Sequence, residues 1–517
     1  MSIIGELYAY GKMFGYGSGI SPSNMTIFRA IGVSNGIKLY ICGPEDSVVN
    51  RQTLCTVAGV KVVRSTTTYP KTPGDGTLIL DLKREDLKKY ASDPYLDTNV
   101  AQGTTYYYSA FPYSDNGVFN YSEKNRCDNG SKNYELYGYD EDQSDSNPLT
   151  RITYPQDVDN YGFTNISMDL STGAMNLNSW KDAFFVKYTR PVMLKSNGDV
   201  DYELDHNDQT LKKGTTEASD ISNASYDGNA MVEFPKMYFK RWTDSNNVKH
   251  VRVCNVKLDD DYKCYQHMYN GKELDVIYLP MFEGSYINKT VRSIAGQTPM
   301  NTNTGETELI GIQANGAGWI FDDFMNKQMI KDLLFLMGRS SDTQSKFGNG
   351  HKSGGTAASS LFKTGTIKDK GMFYGTSGNV AVKVFWLENY YGDRWDRTDG
   401  IMYNNGHVIV KPYPPYNTTG EGYFDTGITI TGTSGGYIKT TKMTEYGDIP
   451  TVCSGSSSTY IPDGCWFNNS GLRFGLWGGG CDSDLLVGPA ALGLNYELSD
   501  SSWRIGPSLS YKKPILA

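Results

Sequence analysis

Short β-prone runs separated by turn signals constrain the first part of this 517-residue chain more than any other feature. The runs lie at 37–41, 60–63, 77–80 and 106–111 and are rich in β-branched and aromatic residues. Between them stand Pro44, Pro70, the glycine-containing cluster 73–76 and Pro112. Strands of this length, each ended by a turn signal, are typical of an all-β sandwich. The sequence therefore predicts a small β-sandwich over residues 35–130.

The rest of the chain is also rich in turns. The full sequence contains 56 Gly and 38 Tyr, a composition that favours short strands joined by many turns. One clear helix is expected, because apolar residues recur at three- and four-residue spacings between 318 and 337, and Gly338 then offers a stop. A second, short helix is expected near 179–185. The predicted fold class is therefore mainly β with some α.

The composition also divides the chain into four parts. Residues 1–34 carry little periodicity and are interpreted as an attachment segment, followed by the sandwich at 35–130. Residues 131–155 contain an acidic, polar run that has little to bury, so they are interpreted as a solvated linker. Residues 156–517 form the main body.

Charge and cysteine content limit the partners. The formal net charge of −8 argues against nucleic acid, because phosphate binding depends on Lys and Arg. No apolar stretch approaches the ~18 residues of a membrane span, so membrane insertion is not expected. The first residues resemble no signal peptide, so assembly in a cytoplasm is expected. The eight cysteines form no CxxC pair, which predicts free, mostly buried thiols and leaves open a bridge from Cys254 to Cys264 or from Cys453 to Cys465.

The segment 95–117 contains Gly-Thr-Thr-Tyr-Tyr-Tyr at 103–108, followed by Pro112-Tyr113 and Gly117. This pattern resembles fibronectin type III modules, in which a strand of this kind precedes a hairpin. The resemblance implies that the sandwich at 35–130 is a spacer or adaptor rather than a site of chemistry.

Glycine and tryptophan recur in two segments of the last part of the sequence. Residues 472–480 are Leu-Arg-Phe-Gly-Leu-Trp-Gly-Gly-Gly, and residues 388–400 contain Glu-Asn-Tyr-Tyr-Gly, Trp395 and Asp-Gly. Glycines at 478–480 suit a tight turn between two strands. Trp477 and Trp503 are large enough to anchor a core beneath a surface built of loops. The residues between them lack an apolar period, which is typical of an irregular exposed face.

The order of these segments resembles the C-type-lectin-like tropism proteins of bacteriophages, including the variable proteins of diversity-generating retroelements. Formylglycine-generating enzymes share the broad fold. The resemblance implies a tail protein of the virion that binds a bacterial surface receptor, glycan or protein, without covalent chemistry. It further implies a homotrimer assembled with other tail proteins, no enzymatic activity and no cofactor.

In that family the irregular positions face outward, form the ligand-binding patch and can be diversified by reverse transcription. The matching candidates here are Gly480, Cys481, Asp482, Ser483, Asp484, Leu485, Leu486, Ala490, Ala491, Gly493, Tyr496 and Arg504. The chain departs from calcium-dependent lectins, because it contains none of the tripeptides Glu-Pro-Asn, Gln-Pro-Asp or Trp-Asn-Asp. Cys465 and Cys481 do not match the thiol pair of formylglycine-generating enzymes.

Three further motifs point only weakly to chemistry. Residues 432–436 match the G-x-S-x-G pattern, but a β-prone run follows where a nucleophile elbow needs a helix, so a glycine-rich hairpin is expected. Residues 199–203 alternate carboxylates but lack the glycine and final glutamate of a calcium loop, which favours a solvated strand. Residues 348–353 lack the order of a phosphate-binding loop and are interpreted as the loop after the helix.

Two other functions remain open on the sequence. An enzyme on the same fold is one, either of the formylglycine-generating type or a glycan depolymerase, which would need two carboxylates in one cleft. A bacterial surface adhesin with the same head is the other.

Overall fold

The computed structural model describes residues 19–33, 36–49, 52–101, 103–129 and 134–515. The chain forms two compact units, the first ending at Tyr134 and the second beginning at Glu135. Strands make up 39% of the chain and helices 11%, which confirms the predicted mainly β fold with some α. Most of the attachment segment predicted at 1–34, residues 1–18, lies outside the described residues.

The strands of the first unit are Ile27–Val33 (β1), Gly36–Cys42 (β2), Ser47–Val49 (β3), Gln52–Cys55 (β4), Val57–Ser65 (β5), Thr77–Lys83 (β6), Tyr90–Asp97 (β7), Tyr107–Ser114 (β8) and Arg126–Asp128 (β9). They form one sheet of order β1-β2-β7, a second of order β6-β5-β8-β9 and the hairpin β3-β4. The runs predicted at 37–41, 60–63 and 77–80 lie in β2, β5 and β6, and the run at 106–111 lies in β8 from Tyr107 onward. The predicted start at residue 35 is wrong, because β1 pairs along its whole length with β2.

The core of the first unit lies between its two sheets. Leu39 and Ile41 of β2 are buried with Val60 and Val62 of β5. These residues alternate with more exposed ones because successive side chains of a strand point to opposite faces. Alternation of this kind is what made the strands predictable.

The second unit contains twenty-nine strands among the described residues. The first fourteen are Leu136–Asp142 (β10), Ile152–Thr153 (β11), Ser167–Asp169 (β12), Ala174–Asn176 (β13), Arg190–Lys195 (β14), Val200–Glu203 (β15), Gly228–Pro235 (β16), Tyr238–Thr243 (β17), Val248–Cys254 (β18), Met268–Tyr269 (β19), Lys272–Glu273 (β20), Val276–Pro280 (β21), Ser285–Ile287 (β22) and Thr290–Arg292 (β23). The others are Trp319–Phe321 (β24), Lys383–Val384 (β25), Leu387–Glu388 (β26), Trp395–Asn404 (β27), His407–Val410 (β28), Phe424–Ile428 (β29), Thr431–Gly432 (β30), Gly436–Ile438 (β31), Thr440–Thr444 (β32), Gly447–Cys453 (β33), Ile461–Phe467 (β34), Leu472–Trp477 (β35), Leu492–Tyr496 (β36), Ile505–Pro507 (β37) and Leu509–Tyr511 (β38). The α-helices are Phe184–Lys187 (α1), Gly305–Gln313 (α2), Phe324–Gly338 (α3) and Gln344–Phe347 (α4).

Two large sheets organise the second unit. The six-stranded sheet has the order β15-β14-β16-β21-β38-β24, so a strand from the end of the described chain lies between two from its middle. The eight-stranded sheet has the order β29-β28-β27-β35-β36-β34-β31, with β37 pairing in parallel with β27. Because β34, β35, β36 and β37 all belong to this sheet, it positions the whole predicted recognition segment.

Helix α3 confirms the predicted long helix. Asp323 caps its first turn by accepting a hydrogen bond from the Asn326 amide at 3.0 Å, and Arg339 ends it in a left-handed conformation. The helix is buried on all sides instead of along one stripe. Its Lys327 ammonium lies between the carboxylates of Asp322 at 3.0 Å and Asp396 at 3.1 Å, and this pairing allows a lysine to be buried.

The predicted acidic linker at 131–155 is wrong from residue 135 onward. Strand β10 occupies the interior of a four-stranded sheet of order β11-β10-β18-β17, and Tyr139 is buried. Glu141 is buried as well, because Arg151 pairs with it at 2.8 Å and Lys249 lies 3.5 Å away. The main body therefore begins at residue 135 and not at 156.

Candidate functional site

An open pocket of about 410 Å³ lies over one end of the eight-stranded sheet in the second unit. Six of the twelve predicted recognition residues contribute to its lining: Asp482, Ser483, Asp484, Leu486, Tyr496 and Arg504. Six others complete it: Trp395, Tyr437, Trp466, Leu476, Asn495 and Ile505. Its volume falls within the range of small-ligand sites. We call it the aromatic pocket, after its two tryptophans and two tyrosines.

Strand pairing brings the two tryptophans together. Trp395 begins β27, where it pairs with Ile505 of β37, and Trp466 lies opposite Gly493 of β36. The two indole rings meet edge to face, with centroids 5.0 Å apart and planes at 85°. Trp395 is buried while Trp466 is half-buried, so one ring supports the floor and the other presents a face to the pocket.

Gly493 keeps the floor of the pocket close-packed. Leu476 pairs with it from β35 on the side opposite Trp466. A Cβ at residue 493 would lie 3.0 Å from the Cβ of Leu476, closer than side chains ordinarily approach. The absence of a side chain at residue 493 therefore leaves room for Leu476 at the floor of the pocket.

The loop over the pocket, residues 478–491, is held by its backbone; we call it the recognition loop. Gly478 and Gly479 adopt φ values of 93° and 84°, a region that glycine enters without steric cost. The Cys481 amide donates to the Asp393 carbonyl at 2.9 Å, and the Asp484 amide donates to the Lys352 carbonyl at 2.8 Å. These bonds fix the positions of the side chains that the loop presents.

A second set of contacts supports the loop from below. The Gln344 side-chain amide donates to the Leu485 carbonyl at 3.0 Å and to the Val487 carbonyl at 2.9 Å. The Ala490 amide donates to Asp463 Oδ2 at 2.8 Å. Burial raises the pKa of the Asp463 carboxyl well above its usual range, and its second oxygen has no hydrogen-bond partner. Asp463 therefore holds the loop as a buried carboxyl group.

One ion pair crosses the rim of the pocket. Arg504 Nε donates to Asp482 Oδ2, and the Arg504 guanidinium carbon lies 4.9 Å from the centre of the Trp503 ring. The pair places a carboxylate and a guanidinium in the lining of the pocket. Such a set can exchange hydrogen bonds with the hydroxyl groups of a ligand while the aromatic faces cover its apolar surface.

The predicted recognition residues separate by exposure. Asp482, Asp484, Leu485 and Arg504 are exposed, and Leu486 and Tyr496 are half-buried. The remaining six are buried: Gly480, Cys481, Ser483, Ala490, Ala491 and Gly493. Among these six, Ser483 caps the loop by accepting from the Gly480 amide at 3.2 Å, and Ala491 packs in the cluster that contains Trp395. The expectation that all twelve residues face outward is therefore wrong for these six, which pack beneath the surface of the loop and strand.

Sequence reasoning missed Trp395, Tyr437 and Trp466 as pocket residues. Trp395 was noted only as part of the motif at 388–400. Trp466 follows the buried Cys465, so it lies on the opposite face of β34, and this alternation was a signal that could have placed it. Trp503 was predicted as a core anchor. It is half-buried, whereas Trp477 does anchor the core, with its ring 6.0 Å from Phe324.

The other motifs resolve as structural elements. Residues 432–436 join β30 to β31, but the expected hairpin is wrong, because β30 pairs with β33 and β31 with β34. Ser434 Oγ donates to the Phe467 carbonyl at 2.9 Å. Residues 200–203 form the edge strand β15, and 348–353 form the loop after α4. Seven of the eight cysteines are buried, and Cys264, Cys453 and Cys465 carry no disulfide, so neither of the two bridges forms.

Within the part of the chain that the structure describes, no group of three or more His, Cys, Asp or Glu residues is arranged to hold a metal ion. Nor does any helix there combine the length and apolar character needed to cross a membrane. No protein-family model matches the sequence, and comparison with curated proteins finds no significantly similar relative.

Proposed function

We propose that this chain is a bacteriophage tail protein that recognises the host by binding a bacterial surface ligand in the aromatic pocket. The observation that supports the proposal most directly is the convergence of Trp466, Tyr496 and the Asp482–Arg504 pair on one open cavity. The likeness of the segments at 388–400 and 472–510 to C-type-lectin-like tropism proteins supports the same reading. Binding is non-covalent, and the chain acts without enzymatic chemistry.

The pocket chemistry favours a saccharide as the ligand. The aromatic faces of Trp466 and Tyr496 suit the apolar face of a sugar ring, and Asp482 and Arg504 suit its hydroxyl groups. A pocket fixed by backbone hydrogen bonds costs little conformational entropy when it binds. Several copies in a homotrimer within the tail would raise the avidity beyond that of one site.

Binding to purified bacterial envelope polysaccharides, measured by biolayer interferometry, tests the proposal. We expect at least one polysaccharide to bind the wild-type chain. The Asp482→Ala/Tyr496→Ala variant should lose most of this binding while its circular dichroism spectrum stays unchanged. Binding that is equal in the two proteins would refute the site.

The same mixtures, analysed for released oligosaccharides, separate binding from hydrolysis. Asp482 and Asp484 both line the pocket, so a glycan-cleaving enzyme is the alternative that this measurement addresses. Intact polysaccharide supports a recognition protein, and fragments that disappear in the Asp484→Asn variant would replace the proposal with a depolymerase.

A further inference from the structure

A second pocket in the same unit, of about 660 Å³, carries three lysines: Lys181, Lys187 and Lys370. We call it the lysine pocket. None of the residues that line it is Asp or Glu. This cationic set stands out in a chain whose formal net charge is −8. The local charge therefore favours an anionic ligand.

The three lysines differ in whether their ammonium groups pair with a protein carboxylate. Lys370 pairs with the neighbouring Asp369 at 3.1 Å. Lys181 and Lys187 are exposed, and neither forms an ion pair with any residue that the structure describes. Two lysines of the pocket lining thus have ammonium groups that no described carboxylate pairs with, although the Lys187 ammonium lies 5.3 Å from the centre of the Tyr188 ring. An incoming carboxylate or phosphate could pair with them without breaking a bridge to a protein carboxylate.

Part of the wall of the lysine pocket is apolar, and part of it is fixed by hydrogen bonds. Met175, Met372 and Tyr374 present apolar or aromatic surface to it. Trp386 fixes one wall, because its indole nitrogen donates to the His206 carbonyl at 3.0 Å and its amide donates to the Met372 carbonyl at 2.8 Å. The ligand must therefore combine negative charge with a flat or apolar face.

We propose that the lysine pocket binds an acidic saccharide, whose carboxylates or phosphates pair with Lys181 and Lys187 while a sugar ring covers Tyr374 and Met372. The choice of a saccharide rests on the function proposed above, whereas the anion site rests on the lysines alone. The volume of the pocket suits one to three sugar units. The protein would then bind a polysaccharide at two sites. The aromatic pocket would contact the faces of its sugar rings, and the lysine pocket would contact its charged groups.

Gly371 provides a way to block the site without changing its charge. A Cβ at this position would meet nothing closer than the His206 carbonyl oxygen at 3.7 Å and Asn207 Oδ1 at 3.9 Å. Gly371 does not adopt a positive φ, so other residues fit its backbone. A leucine at 371 should therefore extend into the pocket while the surrounding fold is kept.

Titration calorimetry of the full chain with trigalacturonate tests the proposal, with its uncharged methyl ester as the matched ligand. Lys181→Glu/Lys187→Glu and Gly371→Leu should each weaken trigalacturonate binding about tenfold or more, and added salt should weaken the wild type. Lys181→Arg/Lys187→Arg should retain binding. The control Lys289→Glu/Lys442→Glu makes the same charge change at exposed lysines that do not line the pocket.

Three results would overturn the proposal: no binding of trigalacturonate at millimolar concentration, equal binding of the methyl ester, or equal loss in the control variant. The Asp482→Ala/Tyr496→Ala variant separates the two proposals. If it loses envelope polysaccharide but retains trigalacturonate, both sites stand. If it binds both as the wild type does, the aromatic pocket fails and the lysine pocket stands.

Discussion

Arg504 and Asp482, twenty-two residues apart in the chain, form an ion pair across the rim of the aromatic pocket. The Arg504 side chain is 44% exposed and that of Asp482 21% exposed, so solvent screens the attraction between them. The pair therefore holds two side chains of the proposed binding site in place and adds little to the stability of the fold.

The Asp482→Asn variant separates these roles. We expect the free energy of unfolding to change by less than about 1 kcal/mol, because exposed ion pairs contribute no more than that. Ligand affinity should fall about tenfold, since a charge-assisted hydrogen bond is replaced by a weaker neutral one. Urea unfolding and biolayer interferometry measure the two effects. Asp260→Asn, which breaks the exposed pair with Lys257, is the control and should leave binding unchanged.

Because the Asp463 carboxyl is buried beneath the recognition loop, we expect the stability of the protein to depend on pH. Its folded pKa is raised by burial, so the folded state binds the proton more tightly than the unfolded state does. The stability that this proton provides is present at low pH and is lost as the pH rises through the folded pKa. Asp463→Asn, which keeps the acceptor for the Ala490 amide and carries no charge, should raise the melting temperature at pH 8 by about 2 °C or more.

Differential scanning fluorimetry of the two proteins at pH 4 and pH 8 measures this effect. The two melting temperatures should lie closer together at pH 4, where the wild-type carboxyl is protonated. A variant that melts lower than the wild type at pH 8 would contradict the assigned role.

The buried His267 ring has the opposite effect on stability: its contribution is lost as the pH falls, whereas that of Asp463 is lost as the pH rises. The ring is buried, Nε2 lies 3.3 Å from the Phe234 carbonyl, and burial lowers the pKa to about 3. The unfolded state therefore gains a proton below about pH 6.5 that the folded state does not, which costs about 1.4 kcal/mol per pH unit down to the folded pKa.

Urea unfolding of His267→Gln and the wild type at pH 6.5 and 4.5 tests this account. Over that interval the free energy of unfolding should fall by about 2 kcal/mol more in the wild type than in the variant. Equal losses would show that this ring does not carry the acid sensitivity.

In the first unit, Asp97 joins the two sheets. Its carboxylate accepts from Arg64 of β5 at 2.7 Å and from the Tyr108 hydroxyl of β8 at 3.0 Å. Asp97→Ala would leave the Arg64 charge buried without its partner. We expect this to lower the free energy of unfolding by about 3–5 kcal/mol. Hydrogen exchange of 57–65 in the full chain should accelerate markedly, while Asp81→Ala, which removes a more exposed pair with Lys83, should have a smaller effect. Equal exchange in the two variants would contradict the role of Asp97.

Local patterns predicted the strands of the sandwich and helix α3. Both the alternation of apolar and polar residues and the helical spacing of apolar residues can be recognised within a short stretch of sequence. The acidic run at 140–145 misled the prediction, because the pairing of β10 with β18 and the ion pairs of Glu141 with Arg151 and Lys249 form only in the folded chain. The sequence predicted half of the residues that line the aromatic pocket, all of them between 482 and 504. Trp395 and Trp466 meet because β27 and β34 belong to one sheet, and the order of strands in a sheet is not visible in one sequence.

The most direct test of the recognition account is flow cytometry of a bacterial strain panel with the fluorescently labelled full chain. The account predicts that the wild type stains a subset of strains, that soluble envelope polysaccharide from those strains displaces it, and that Asp482→Ala/Tyr496→Ala stains none while melting at the wild-type temperature. Equal staining of the same strains by a correctly folded variant would contradict it.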